Sequence, residues 1–571
     1  MAQEGANKMF LIKEKRKNGT YLSIVQSYRD PVTKATKRKR IKNIGYLEDL
    51  EKEYDDPIAH FQQVAKEMSE EYAAETKPIQ VALDQSKSLE PGIDLTKNLG
   101  YTALSALYHE LKINVFFRGR QRDLDIDYNL NSIMKLLVYG NILYPGSIRH
   151  IYNRRNLFFD KMEFSLEDIY DSFRYLKQYK VQLQRWMYKY TLETYKCKTD
   201  KVYYYITKQY FEPELQKLSS DRRTDPIVQL DLITDTRYIP LSYEVSSRAP
   251  SDILTVKASI AKRLREMKAK DIVLIGDNGI NSPDNLYNLI AGGYGYIVQQ
   301  SLRTAEKDIK DFVLKEQGYI HFGTCSKLKS RIITRTIKVT TPDGKKKNVQ
   351  IKEKQIAFYN QKYARCVLSQ REDMLLKAND LIAAPGTFDA QSGSSKHAKT
   401  SAGDCSAKLN NVKIPMRINE EQLKEEEKYD GYYFFLTSEI EEDDFVLLNA
   451  YSRLWETQSN FDYTNNIHDL PKTLTRENHL HSHYLTHFVS LVITRILESK
   501  VDHKYSLDQL VKSLYKCTCV HIEDNNYVQC YFDTILDDIG QSIGVDFSKR
   551  YGTLCKIKEN IAITKKKQDH N

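Results

Sequence analysis

Apolar and polar positions alternate with a period of two in some stretches of the chain and recur every three or four residues in others. Near the start, TYLSIVQSYRD alternates, PVTKA supplies a turn, and TKRKRIKNIG returns as a second, basic strand. Residues 56–75 follow a helical pattern, and the loop LEPGID separates them from a block at about 95–199 that reads as helical throughout. In that block NLNSIMKLLVYGNIL has its apolar residues at helical spacing and is stopped by PGS. SLEDIYDSFRYLKQY opens with Ser165 as N-cap and has Glu167 and Asp168 in its first turn; VQLQRWMYKYTLETY reads as its partner helix.

The next stretch changes period repeatedly. VYYYIT (202–207), PIVQLDLITD (226–235) and IPLSYEV (239–245) are strand patterns, the last two joined by a turn at 235–238 and so expected to pair antiparallel. SDILTVKASIAKRLREMKA is an amphipathic helix capped by Ser251, DIVLIGDNG a strand ending in an acid, NSPDNLYNLIAG a helix and YGYIVQQ a fifth strand. Three antiparallel strands followed by two right-handed βα crossovers, βββαβαβ, is the order of a ribonuclease-H-like core. From residue 305 the pattern is interrupted by a β-rich insertion with a hairpin expected at TPDGKK and a Gly/Ser-rich loop, QSGSSKHAKTSAGD. YYFFLTS then returns as a strand and DFVLLNAYSRLWETQSNF as a helix.

The expected fold class is therefore α/β. A basic β-hairpin and helix module occupies residues 1–90 and a helical domain 91–200; the core spans 201–304 and 431–500, with the β-rich insertion at 305–430 between its parts. A helical tail at 501–571 completes the division.

Charge adds one feature. Residues 1–45 hold twelve Lys or Arg against three acids, so +9 of the net +10 sits in the first module. Lys37, Arg38, Lys39, Arg40 and Lys42 would line one strand edge, suited to phosphate contacts, and nucleic acid is the commonest partner of such a module. The other reading is a solvated lysine-rich hairpin.

No apolar run reaches the length of a membrane span, YLTHFVSLVITRIL being broken by His487 and Arg495, and the start lacks an apolar signal core. A cytoplasmic protein with no membrane partner is expected. The eight cysteines are too sparse for a disulfide scaffold. Cys517, Cys519, His521 and Cys530 cluster without the paired knuckles of a zinc site, and His479, His483 and His487 share a helix face without a third-ligand pattern.

Five stretches follow one another in a recognisable order: YLSIVQSYRD with IKNIGYLEDL and DDPIAHF, VYYYITKQYFE, VLIGDNGINSPDN, DGYYFFLTSE with YSRLWETQSNF, and ENHLHSHYLTHFVSLVITRILE. In these the chain resembles, nearly end to end, the DDE transposases of bacterial insertion sequences, of the IS-four-like group with a β-rich insertion before the glutamate. The resemblance implies DNA as partner (the insertion-sequence ends), a homodimer on DNA, and strand cleavage and transfer by two Mg²⁺ ions about 3.5–4 Å apart, held by three carboxylates.

The chain departs from that pattern at the acids. Tyr205 stands where the first aspartate belongs and Gln458 where the glutamate belongs; Asn465 replaces the lysine beyond it. Asp277 alone remains as the expected metal ligand. The formal charge of the site falls from −3 to −1, too little for two divalent ions without help from the DNA. Asp231, in the centre of the second strand, and Asp462, one turn beyond Gln458, are the nearby acids that would have to rebuild a site; Glu456 should point away. The chain thus reads as a transposase impaired in cleavage, or alternatively as a domesticated DNA-binding protein or repressor without catalysis.

Overall fold

The first module contains a strand that sequence patterning missed. β1 (Met9–Arg16), β2 (Gly19–Arg29) and β3 (Thr36–Tyr46) form an antiparallel sheet in which β2 is central. MFLIKEKR reads poorly as a strand because its second half is charged, yet it pairs with β2 over its whole length. The helix Pro57–Glu75 packs on β1, and Ser69 ties the two by accepting from the Met9 N–H (2.7 Å) and donating to the Met9 carbonyl (3.1 Å). Met9, Ile24 and Ala65 form the small core between them.

The computed structural model describes residues 9–16, 19–29, 36–52, 54, 56–75, 81, 86, 88, 91–210, 227–246, 258–277, 280–323, 325–340, 345–365, 367–369, 371–372, 376, 398–400, 416–418, 420–460 and 476–566. The chain divides into two units, Met1–Pro91 and Gly92–Asn571.

The second unit opens with β4 (Thr96–Asn98), followed by helices Tyr101–Glu110, Ile113–Gln121 and Leu130–Leu143. The two helices expected after Ser165 are one, Leu166–Tyr195, because nothing in KQYKVQLQ breaks the helical hydrogen-bond ladder. Its start is the expected one: the Ser165 side chain accepts from the Asp168 N–H while the Asp168 carboxylate accepts from the Ser165 N–H.

β5 (Lys201–Tyr210), β6 (Ile227–Thr234), β7 (Pro240–Ser246), β8 (Asp271–Gly276) and β9 (Gly295–Gln299) follow, with helices Ala258–Glu266 and Pro283–Ala291 in the two crossovers. Ser251, the expected cap of the first of these helices, lies outside the described residues. β5, β6 and β7 are antiparallel neighbours, and β8 and β9 run parallel to β5. The turn between β6 and β7 is held by the buried Asp235, whose Oδ1 accepts from the N–H groups of Arg237 and Ile239 (both 2.9 Å).

The β-rich insertion does not stand apart. β10 (Ile320–Phe322), β11 (Ser326–Thr340) and β12 (Lys346–Asn360) continue the same sheet, because β12 pairs with β15 (Tyr432–Thr437) and β15 with β9. The order across nine strands is β10-β11-β12-β15-β9-β8-β5-β6-β7. The residues of the expected TPDGKK turn are largely outside those described, but Thr340 pairs with Lys346, so the hairpin closes there. Of the Gly/Ser-rich loop only β13 (Ala398–Thr400) is described, paired with β14 (Met416–Ile418).

Both faces of this sheet are covered at its centre. Tyr203, Tyr205, Leu232, Ile275, Ile297 and Phe435 face helices Asp444–Asn460 and Arg476–Lys500. Val202, Tyr204, Ile206, Leu274, Tyr296 and Val298 face the crossover helices. The segment after Lys500 is more than a helical tail. β16 (Thr518–His521), β17 (Asn526–Gln529) and β18 (Tyr551–Thr553) build a four-stranded sheet whose edge is β4, more than 400 residues earlier.

Helices Asp444–Asn460 and Arg476–Lys500 are clamped by alternating charges. Arg453 donates to Glu456 (2.8 Å) and Glu498 (3.0 Å), and Arg495 donates to Glu498 (2.7 Å) and to Glu456. Burial alone would raise the Glu456 carboxyl, but the guanidiniums of Arg495 and Arg453 hold it below the usual carboxylate range. Arg495 is only 2% exposed. Arg495→Met should therefore destabilise the protein by about 3 kcal/mol or more, because Glu498 would be left buried with half its partners. Urea titration measures this; an unchanged midpoint would show that the clamp contributes no stability.

Candidate active site

Position 205 is central to the second unit. β5 lies between β6 and β8, and Tyr205 pairs with Leu232 on one side and Ile275 on the other. Its ring is 1% exposed and its phenol donates to the Ala450 carbonyl (3.1 Å), within the helix Asp444–Asn460. Burial pushes the phenol pKa well above its ordinary value, so the group stays neutral. Position 205, expected from the resemblance to replace an acid, is a buried strut between sheet and helix.

Asp277 follows the last residue of β8. Ile206 pairs with Gly276, the last residue of β8, and Thr207 continues the row of Tyr205 along β5. Gly276 lets Ile280 fold back onto the strand: a Cβ there would sit 2.1 Å from Ile280 Cδ1. The buried Thr207 hydroxyl has no hydrogen-bond partner among the described residues.

Asp231 lies on the opposite face. It pairs with Ile206, and its fully buried carboxylate accepts from Tyr204 Oη (3.1 Å) and Gln229 Nε2 (2.9 Å). The sheet itself separates Asp231 from Tyr205. Asp462 lies outside the described residues, and so does the side chain of Gln458, whose backbone is in the last turns of helix Asp444–Asn460. Of the acids of a rebuilt Asp231/Asp277/Asp462 site, Asp231 is thus bonded on the side of Tyr204 and Gln229.

Other members of the third motif pack as core. Tyr451 donates to Gln299 Oε1 (3.0 Å) and stacks on Phe435, and Leu454 is buried. Glu456 is taken by the arginine clamp. Sequence reading missed that clamp, although two RxxE spacings, Arg453 with Glu456 and Arg495 with Glu498, were its visible signal.

Among the described residues no group of three His, Cys, Asp or Glu side chains is arranged to hold a metal ion. Burial lowers the pKa of His479 and of His487 to about 4, and His487 Nδ1 lies 2.9 Å from the His483 carbonyl. Cys517 and Cys519 are buried and Cys530 is exposed. Among the described residues, one carboxylate (Asp277) and one hydroxyl (Thr207) beside a phenol bonded elsewhere do not fit a pair of Mg²⁺ ions, which need several oxygen ligands each.

In the first unit, the cations of β3 are all exposed but do not share one face. Arg38 sits over the Phe10 ring (5.4 Å) and Arg40 bonds to Glu14 (2.5 Å). Lys37 and Lys39 alternate to the other face, and a bulge between Ile24 and Val25 brings Lys42 to that side as well. The single row expected of residues 37–42 is two half-rows.

Residues 11–80 match the family model of the IS1634 family transposase N-terminal domain. This match supports an insertion-sequence transposase. The matched stretch covers most of β1, all of β2 and β3, and the helix Pro57–Glu75, so it falls within the first unit and includes every cation of the basic strand. No curated protein matches the chain. No helix among the described residues is long and apolar enough to cross a membrane.

Two substitutions test the strut. Tyr205→Phe removes one hydrogen bond and should cost about 1 kcal/mol. Tyr205→Asp leaves a cavity and a buried carboxylate, and should cost roughly 3–5 kcal/mol at neutral pH. Burial would raise that carboxyl's pKa above its unfolded value, so its penalty should shrink as pH falls through the folded pKa. Urea titrations at about pH 8 and about pH 5 check this; equal penalties at both would show that water reaches position 205.

Proposed function

We propose that the chain is a transposase of the DDE, IS-four-like group that binds DNA as a cytoplasmic, nucleoid-associated protein and is disarmed for strand cleavage. The strand order β7-β6-β5-β8-β9, with β5, β6 and β7 antiparallel and β8 and β9 parallel to β5, supports reading the core as ribonuclease-H-like. Asp277 then occupies the end of the fourth core strand, where that fold places an acid.

The observation that carries the impairment is Tyr205. A lost ligand alone would leave a space that water or a neighbouring acid can fill. Here the space is filled by a ring whose hydroxyl is bonded to the helix opposite. Two Mg²⁺ ions would require the strand and helix to part. The second reading, a DNA-binding protein or repressor without catalysis, is favoured by the same observation, since the site has been absorbed into the core while the basic strand stays exposed. A homodimer on paired DNA ends belongs to this proposal as well.

Two measurements test it. DNA carrying the sequences that flank the gene should not be nicked by the natural chain with Mg²⁺ or Mn²⁺. Cleavage that disappears in Asp277→Ala would overturn the impairment. Nicking by a folded Tyr205→Asp/Gln458→Glu double variant would show the rest of the machinery intact. For binding, alanine at Lys37, Arg38, Lys39 and Arg40 should flatten the slope of log K against log salt by about 3–4. An unchanged slope would remove β3 from the interface.

A further inference from the structure

The hairpin β11–β12 is longer than the sheet needs. β12 pairs with β15 only from Lys354 to Tyr359, so the distal part, residues 333–340 with 346–353, is a two-stranded ribbon with no third strand beside it among the described residues. Its two faces differ sharply in chemistry. Ile337, Val339, Val349 and Ile351 cluster with Tyr287 of helix Pro283–Ala291. The opposite face presents Thr334, Thr336, Lys338 and Thr340 from one strand and Lys346, Asn348, Gln350 and Lys352 from the other. All eight are exposed and none is acidic.

The ribbon is also fixed in place. The Thr340 N–H donates to Asp284 Oδ1 (2.6 Å), in the first turn of the helix that begins six residues after Asp277. The lysine-bearing tip is thereby tied to the segment leaving the candidate site. Arg335 pairs with the fully buried Glu353 (2.9 Å) and holds the base of the ribbon. None of Lys338, Lys346 and Lys352 is in an ion pair among the described residues.

We propose that this face is a second phosphate-binding surface, which tracks the backbone of duplex DNA beside Asp277. The inference rests on the DNA-binding reading above and adds to it a surface in the other unit. Three ammonium groups span about 20 Å along the ribbon at roughly 3.4 Å per residue. Threonine, asparagine and glutamine between them offer neutral donors to phosphate oxygens. A two-stranded ribbon is among the few elements that a duplex groove admits, and a face without acids meets no repulsion there. The contacts are to backbone rather than bases, since short-range specificity would need planar bidentate side chains, which this face lacks apart from Asn348 and Gln350.

The test uses the full chain with the flanking-sequence duplex, by fluorescence anisotropy over a range of salt. Lys338→Ala/Lys346→Ala/Lys352→Ala should weaken binding and lower the slope of log K against log salt by about 2–3, at about 0.9 per phosphate contact. A control triple at exposed lysines elsewhere in the same unit, Lys189, Lys198 and Lys270, should leave the slope unchanged. If the natural chain binds with a slope that depends on β3 but not on the ribbon, this proposal falls and the DNA-binding reading stands. An equal loss in the control triple reduces the effect to general charge and also overturns it. If the natural chain binds no duplex at any salt, both fall together.

Discussion

Everything in the second unit is built around one strand that has no free side. β5 is hydrogen-bonded along both edges, to β6 and β8, and covered on both faces by helices. A strand so placed must be apolar or must satisfy each polar atom internally. The three consecutive tyrosines at its centre meet that demand in different ways. Tyr203 stacks on Tyr238, Tyr204 bonds to Asp231 below the sheet, and Tyr205 bonds to the Ala450 carbonyl above it. The last of these sets a neutral, hydrogen-bonded phenol between the sheet and the helix Asp444–Asn460.

Much of this arrangement is legible from period and turn chemistry. The five core strands, their order and the capping of the long helix by Ser165 follow from local patterns. What local patterns do not carry is which strand neighbours which over long separations. MFLIKEKR looks too charged for a strand, and only pairing with β2 makes it one. TKN at 96–98 has no strand signal at all; it is a strand because β16 lies beside it. The insertion was readable as β-rich, but not as a continuation of the central sheet, since that depends on β15 pairing with both β9 and β12.

The candidate site was half legible for a related reason. Sequence gives the identity of residues 205, 277 and 458, and it gives alternation. The opposite facing of Asp231 and Tyr205 follows from alternation once the β5–β6 register is fixed, and a slip by one residue would reverse it. Register is a tertiary property, which is why Asp231 looked available. The arginine–glutamate clamp is similar: each RxxE pair is visible on its helix, but that the two pairs interlock depends on how the helices cross.

The pairing of β4 with β16 has a bearing on how the chain is made. Residues 96–98 leave the ribosome early, whereas the strand that completes their sheet is synthesised some 420 residues later. The edge at β4 cannot be paired as it emerges, and has to wait for some 420 further residues. Such a large sequence separation makes this contact among the slowest to form and leaves the early segment exposed meanwhile. A ribosome that stopped before β16 would release not a shortened protein but an open one.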